Sequence, residues 1–169
     1  MLILSDLTLP ALERAQSRDL FLRNHGGDRR WSEDNYLLRG SDMRRRYIVA
    51  VEGVPPSPSP ISNAVVVGNQ CWISGQLSVG DDGAYIPGST AEEAKRAFAH
   101  VFRIAEAAGF SAADIVYVDL AFIDLADVTD VNRLFAELFP EGQRPARTIC
   151  QAAMLPFGGR IKVQAVAAR

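Results

Sequence analysis

From residue 47 onward, short β-type apolar runs alternate with two longer stretches of helical spacing. Tyr47-Ile-Val-Ala-Val predicts a strand that ends at Gly53. The next seven residues, Val54-Pro-Pro-Ser-Pro-Ser-Pro60, contain too many imide nitrogens for a hydrogen-bonded ladder and predict an extended connector. Ala64–Val67 and Gln70–Ser74 are apolar β-type runs joined by Gly68-Asn69, a tight-turn signal. A loop over Asp81–Gly88 leads to the first strong helix, for which Thr90 is the expected cap and Glu93 the closing partner of a capping box. Ala94, Phe98, Val101, Phe102, Ala105 and Ala108 then recur at helical spacing until Gly109 stops the element. Asp114–Ile123 alternates as a long strand. Asp124 or Asp127 opens a second helix carrying Val128, Val131, Leu134, Phe135 and Leu138, which ends at Pro140. Two final strands are expected around Thr148–Met154 and Ile161–Ala168.

The predicted order is three strands, helix, strand, helix, two strands. Strands joined by helical crossovers, with helices enough for one sheet face only, specify an α+β layer structure. The other face then needs a partner, and self-association is the expectation.

Charge separates the first part of the chain from the rest. Residues 1–46 hold nine of the 18 basic residues, all arginine, together with seven acids. This mixed segment reads as a solvated appendage. Within it Leu9–Leu22 is a candidate amphipathic helix with Leu12, Ala15, Leu20 and Leu22 on its apolar side, and Trp31, Tyr36, Leu37 and Leu38 form a sparse apolar patch. The interspersed acids argue against nucleic acid as a partner. The organisation expected is an extension over residues 1–45 and one domain over 46–169.

Length and composition fit that organisation. The chain of 169 residues, with 48% hydrophobic and 22% charged residues and a formal charge of −2, has the balance of a soluble globular protein. No apolar run approaches the roughly 20 residues that span a bilayer, and the first residues lack the pattern of a signal peptide. No membrane partner and a cytoplasmic location are the expectations. Cys71 and Cys150 both lie in apolar runs and read as buried reduced thiols. His25 and His100 are the only histidines, too few and too isolated for a metal site. No Ser-His-Asp order, phosphate-binding loop or dinucleotide fingerprint is present. Asp124 reads as a helix cap and Asp119 as a polar tip on a strand.

Three blocks carry a resemblance. They are Pro60-Ile-Ser-Asn-Ala-Val followed by Gly68-Asn and Ile73-Ser-Gly-Gln76; Asp124-Leu-Ala-Asp-Val-Thr-Asp-Val-Asn132; and Arg144-Pro-Ala-Arg-Thr148 followed by Leu155-Pro and Ile161-Lys-Val-Gln-Ala-Val. In that order they resemble the RidA/YjgF/L-PSP family, whose usual pieces run Gly-Pro-Tyr-Ser-Gln-Ala, Ser-Gly-Gln, Asp-x-x-Asp-Phe-x-x-Val-Asn, Pro-Ala-Arg-Ser and Val-Glu-Ile-Glu-Ala. The resemblance implies a chorismate-mutase-like mixed sheet with two helices packed on one face, assembled as a homotrimer with clefts between subunits. It also implies hydrolysis of small carboxylate-bearing imines or enamines to 2-oxo acids and ammonia, with no cofactor and no metal.

By the same resemblance Arg147 clamps the substrate carboxylate, a role suited to the planar two-donor guanidinium. Gly75 offers a bare backbone amide and Ser74 a hydroxyl. Gln164 stands where the family has a glutamate that positions and activates water. A carboxamide cannot serve as a general base, though its carbonyl can orient water, and general bases typically contribute ~10²–10⁴-fold. Ile61 replaces the family's tyrosine, Ile149 stands where many members have cysteine, and Ala121 where many have phenylalanine. Together these describe a roomier, less polar cleft. The expected function is an imine or enamine hydrolase of a specialised catabolic or biosynthetic pathway. The alternative is a non-catalytic binder of 2-oxo-acid-like metabolites. A ribonuclease reading, also attached to the family, gains little here, because the body of the chain has neither a basic stripe nor a catalytic histidine pair.

Overall fold

A computed structural model describes residues 44–169; the expected helix over Leu9–Leu22 and the patch of Trp31, Tyr36, Leu37 and Leu38 lie outside them. Six strands form one sheet: β1 (Arg45–Ile48), β2 (Ala64–Val67), β3 (Gln70–Gln76), β4 (Ile115–Phe122), β5 (Ala146–Gln151) and β6 (Ile161–Ala168). Their spatial order is β1-β2-β3-β6-β4-β5. All neighbours pair antiparallel except β4 and β5, which are parallel. Helix α1 (Thr90–Ala107) connects β3 to β4, and α2 (Val128–Leu138) connects β4 to β5. Because β3 and β4 are both antiparallel to β6, they run parallel to each other with β6 inserted between them. The mixed α+β architecture and the element order agree with the sequence expectation.

The sheet is two-sided because side chains alternate along a strand. Ile73, Val118, Leu120, Phe122, Ile161, Val163 and Ala165 point one way and are closed to solvent. Over them lies α1, which packs on β6 and β3 and beside α2. Its inward side, Ala94, Ala97, Phe98, Val101, Ile104 and Ala105, is fully buried. Four phenylalanines close the space between the helices: Phe98 meets Phe135 and Phe139 edge-on at 6.1 and 5.9 Å between ring centres, and Phe102 meets Phe139 at 6.0 Å. On the opposite face Tyr47 and Trp72 are 57% and 52% exposed.

Several boundaries differ from expectation, each for a local reason. The N-cap of α1 is Ser89, and the capping box closes with Glu92, one position earlier than expected. Ser89 is extended at φ −63°, ψ 156°, as a cap requires, whereas Thr90 is already helical and its hydroxyl donates to Asp127. Asp124 caps a short 3-10 turn, Leu125–Asp127, by accepting from the Ala126 amide, and α2 follows directly. Strand β1 covers Arg45–Ile48 rather than starting at Tyr47, because the chain turns away after Ile48. There the Asn63 amide donates to the Ile48 carbonyl and the Asn63 side chain to that of Val49. Strand β5 begins two residues before its expected start and ends at Gln151, with Met154 81% exposed. Cys71 is buried, as expected, but Cys150 is exposed, because it lies on the outer face of edge strand β5.

Two ionisable side chains, Glu93 and His100, are among the polar residues buried in the described part of the chain. Glu93 points inward and is fully buried, accepting hydrogen bonds from the Tyr85 hydroxyl and from the Arg160 amide at 2.8 Å. It thereby ties the loop before α1 to the turn that launches β6. Replacing it with alanine (Glu93→Ala) leaves two donors without an acceptor and is expected to cost about 2–4 kcal/mol, read from the urea midpoint; a loss under about 1 kcal/mol would contradict this anchoring role.

His100, on α1, is 5% exposed, and among the described residues no acceptor or donor meets its Nδ1. Burial holds its pKa below the ordinary 6.5, Arg103 adds to that effect, and the Leu77 backbone and Asp81 oppose it. The unfolded chain therefore binds a proton that the folded chain resists. Stability is expected to be fully present above about pH 6.5 and to fall as the pH drops through and below that value. His100→Gln should flatten the part of this slope due to His100 in urea midpoints compared at pH 7.5 and 5.5.

Candidate active site

The residues singled out in the sequence fall into two groups. The first gathers on the helix-free face of the sheet. Between β3 and β6 the register shifts, so that Ile73 pairs with Ala165 and Gln76 with Val163. Ser74 and Gly75 thus stand as two residues against the single Gln164, a bulge of the kind that re-aims side chains beside a site. The bulge is pinned from behind: the Ser74 amide donates to the Asn63 carbonyl at 2.9 Å and its hydroxyl to the Ser62 carbonyl at 2.7 Å. Ile61, half exposed, precedes Ser62 in the same segment. Gln164 is exposed on β6.

Gly75 is covered by a residue the sequence reading did not include. The methylene stem of Lys162 lies over it, and a Cβ built at Gly75 would meet the Lys162 Cδ at 2.8 Å. Lys162 pairs with Ala121 of β4, and Ala121 with Cys150 of β5, so these three side chains form a row beside the Gln164 row.

The second group lies on the other side of the sheet. Arg147 pairs with Val118 and Ile149 with Leu120, both strand partners being core residues. Ile149 packs against the core. The Arg147 guanidinium sits over the Phe135 ring of α2, 4.6 Å from its centre, an attraction worth ~0.5–1 kcal/mol. Burial lowers its pKa below the ordinary guanidinium value. Among the described residues no carboxylate pairs with it.

Within one chain, then, Ser74, Gly75 and Gln164 come together while Arg147 and Ile149 do not join them. Their strands are separated by β4, and their side chains leave opposite faces of the sheet. A hollow of about 330 Å³ lined by Gly88, Ser89, Thr90, Ala91, Asp127, Asp130 and Arg160 lies at the start of α1 and includes none of them. No three potential metal-ligating side chains cluster among the described residues, and no described helix is long and apolar enough to cross a membrane.

The fold and these blocks place the chain among known proteins. The model of the endoribonuclease L-PSP family matches residues 53–169. This chain belongs to that family. A bovine 2-iminobutanoate/2-iminopropanoate deaminase is 36% identical over 123 residues, covering 72% of this chain and 89% of the relative. The protein of the same name from Escherichia coli K12 is 32% identical over the same span and is covered to 96%. Among solved structures, the YjgF gene product of E. coli superposes with a TM-score of 0.67 at 32% identity, over 73% of this chain and 99% of that one. The RidA protein of an Antarctic Psychrobacter gives a TM-score of 0.69 at 31% identity, over 73% of this chain and all of that one.

One carboxylate of the L-PSP domain's helix-free face, read from the sequence only as a polar tip on a strand, stands beside Gln164. Asp119 pairs directly with Gln164, and one of its oxygens is buried with no donor among the described residues. Alternation along β4 assigns it to that face, but its pairing with β6 depends on a register no local pattern encodes.

The covering of Gly75 generates a test. The atoms in the way belong to a flexible lysine stem, which can swing aside. Gly75→Ala is therefore expected to fold with a change of under about 1 kcal/mol in urea denaturation. A loss of several kcal/mol would mean that the bulge itself cannot hold a side chain.

Proposed function

We propose that this chain is an imine hydrolase that converts a 2-imino or 2-enamino acid to a 2-oxo acid and ammonia at a site completed by a second copy of itself. The observation that carries the reading is Arg147, a partly buried guanidinium with no carboxylate partner among the described residues. Such a group is ready to take a substrate carboxylate through paired donors. Its removal from Gln164 within one chain favours a shared cleft, in which Arg147 of one subunit faces Ser74, Gly75 and Gln164 of the next. The exposed Tyr47, Trp72 and Val116 favour self-association through the sheet, in keeping with a homotrimer. The deaminase names of the relatives support the reaction class.

Gly75 would supply a backbone donor, Ser74 a hydroxyl, and Gln164 a carbonyl that orients water. Ile61, Ala121 and Ile149 would leave the cleft wider and less polar, which favours a bulkier substrate and a specialised pathway over a general one. No metal or cofactor enters the proposal. Residues 46–169 would act as the catalytic domain, with 1–45 an extension, in a cytoplasmic protein.

A second reading, a non-catalytic binder of 2-oxo acids, is favoured by one observation: Gln164 offers no basic oxygen at the position of the family's glutamate. Ammonia release from freshly generated 2-iminobutanoate separates the two. Wild-type turnover is expected, with kcat/KM falling about 10²-fold or more in Arg147→Ala and recovering only in part in Arg147→Lys. Unimpaired turnover in Arg147→Ala would refute the assigned clamp. An inactive wild type that gains turnover as Gln164→Glu would establish the binder instead.

A further inference from the structure

The site assigned above lacks a proton acceptor, and the sheet brings one to its edge. Asp119 of β4 stands directly across from Gln164 of β6. Directly opposed residues of neighbouring strands keep their Cβ atoms roughly 4.5–5.5 Å apart on one face. The carboxylate and the carboxamide therefore project over the same patch, and the Ser74–Gly75 bulge closes on Gln164 from the far side. The four residues form one line across three strands, Ser74 and Gly75, then Gln164, then Asp119.

Asp119 is held there with unused capacity. Its Oδ1 is closed off from solvent, and no donor among the described residues reaches it. Buried polar atoms are nearly always partnered, and a carboxylate oxygen is the strongest acceptor a side chain offers. The partners that could have occupied it are engaged elsewhere or too far along the chain. The Tyr117 hydroxyl, two residues earlier on the same face, donates to Thr148 at 2.6 Å. Lys162, one step away on β6, lies over Gly75 and makes no ion pair with Asp119. Cys150 of β5 completes the titratable groups around it on this face.

We propose that Asp119 is the general base of this protein's hydrolytic reaction, taking over from the adjacent strand the task that Gln164 cannot perform. The inference rests on the imine-hydrolase reading. Gln164 holds the attacking water through its carbonyl oxygen, and Asp119 accepts the proton. As the water oxygen bonds to the imine carbon, the C=N electron pair moves to nitrogen, and Asp119 hands that nitrogen the proton it has just taken. The resulting carbinolamine gives its hydroxyl proton to Asp119. The C–N bond then breaks, the carbonyl forms, and the nitrogen leaves as ammonia with that proton. Water is consumed, no electron changes hands, and Asp119 ends as it began.

The test uses the full chain and 2-iminobutanoate generated in situ by an amino-acid oxidase, with ammonia release as the rate and calorimetric binding of 2-oxobutanoate as the control. Asp119→Asn is expected to lower kcat about 10²-fold or more and to leave the 2-oxobutanoate Kd within about threefold. Adding Gln164→Glu to Asp119→Asn returns a carboxylate to the patch and is expected to restore at least about tenfold of the loss. Wild-type turnover that survives Asp119→Asn overturns the assignment of Asp119 while the imine-hydrolase reading stands. Loss of rate and binding together, without rescue by Gln164→Glu, also overturns it, since a structural role would behave that way. A wild type that binds 2-oxobutanoate but releases no ammonia defeats the hydrolase reading itself and this inference with it.

Discussion

Strand β6 is pressed beneath α1, with Ile161, Val163, Ala165 and Ala167 turned inward against Ala94, Ala97, Phe98, Val101 and Ile104. The small alanines of α1 let its backbone come close to the sheet, and the phenylalanines fill the wider gap toward α2. Burying these side chains stabilises by roughly 25 cal/mol for each Å² of apolar surface removed from water. It also dictates where chemistry can be. A strand period of two means that committing the odd-numbered residues of β6 to the core sends Lys162 and Gln164 to the opposite face without choice. The same rule on β4 commits Val118, Leu120 and Phe122 inward and sends Tyr117, Asp119 and Ala121 outward.

Two departures from regular geometry turn that outward face into more than a wall. The bulge at Ser74–Gly75 sets two residues against Gln164, with the Lys162 stem lying over Gly75. Buried Glu93 joins the loop ahead of α1 to the turn ahead of β6, so the position of β6, and with it Gln164, is coupled to the start of the helix that covers the sheet. Arg147 stands apart from this arrangement, on an edge strand and over an aromatic ring of α2. Within one chain the Arg147 guanidinium and the Gln164 amide leave opposite faces of the sheet. The site proposed above therefore depends on a second copy, for which the edge strand and the exposed Tyr47 and Trp72 are the available surfaces.

Much of the fold was legible in the sequence. The Gly68-Asn69 turn, the helical spacing from Ala94 to Ala108 ended by Gly109, and the order of elements all follow from short-range chemistry: a glycine that takes positive φ, an apolar stripe of the right period, a proline after a helix. Errors came where two nearby residues competed for one role. Ser89 and Thr90 can each cap a helix, and Glu92 and Glu93 can each close the box. The choice went to the pair that left Thr90 free to reach Asp127 and Glu93 free to reach Tyr85 and Arg160, the first and last of these distant in sequence. Cys150 was misplaced for a similar reason, since an apolar run does not reveal which strand will lie at an edge.

The amino-acid order by itself determined the elements and the two-sidedness of each strand, because periodicity and turn propensity are local properties, and its blocks resembling the L-PSP family singled out Arg147, Gly75 and Gln164. Only the tertiary structure decided that β6 enters between β3 and β4, that the Ser74–Gly75 bulge and Asp119 flank Gln164, and that Arg147 leaves from the other face. Those outcomes depend on strand order and register, which are set by the simultaneous burial of residues up to a hundred positions apart and so are written in no single segment.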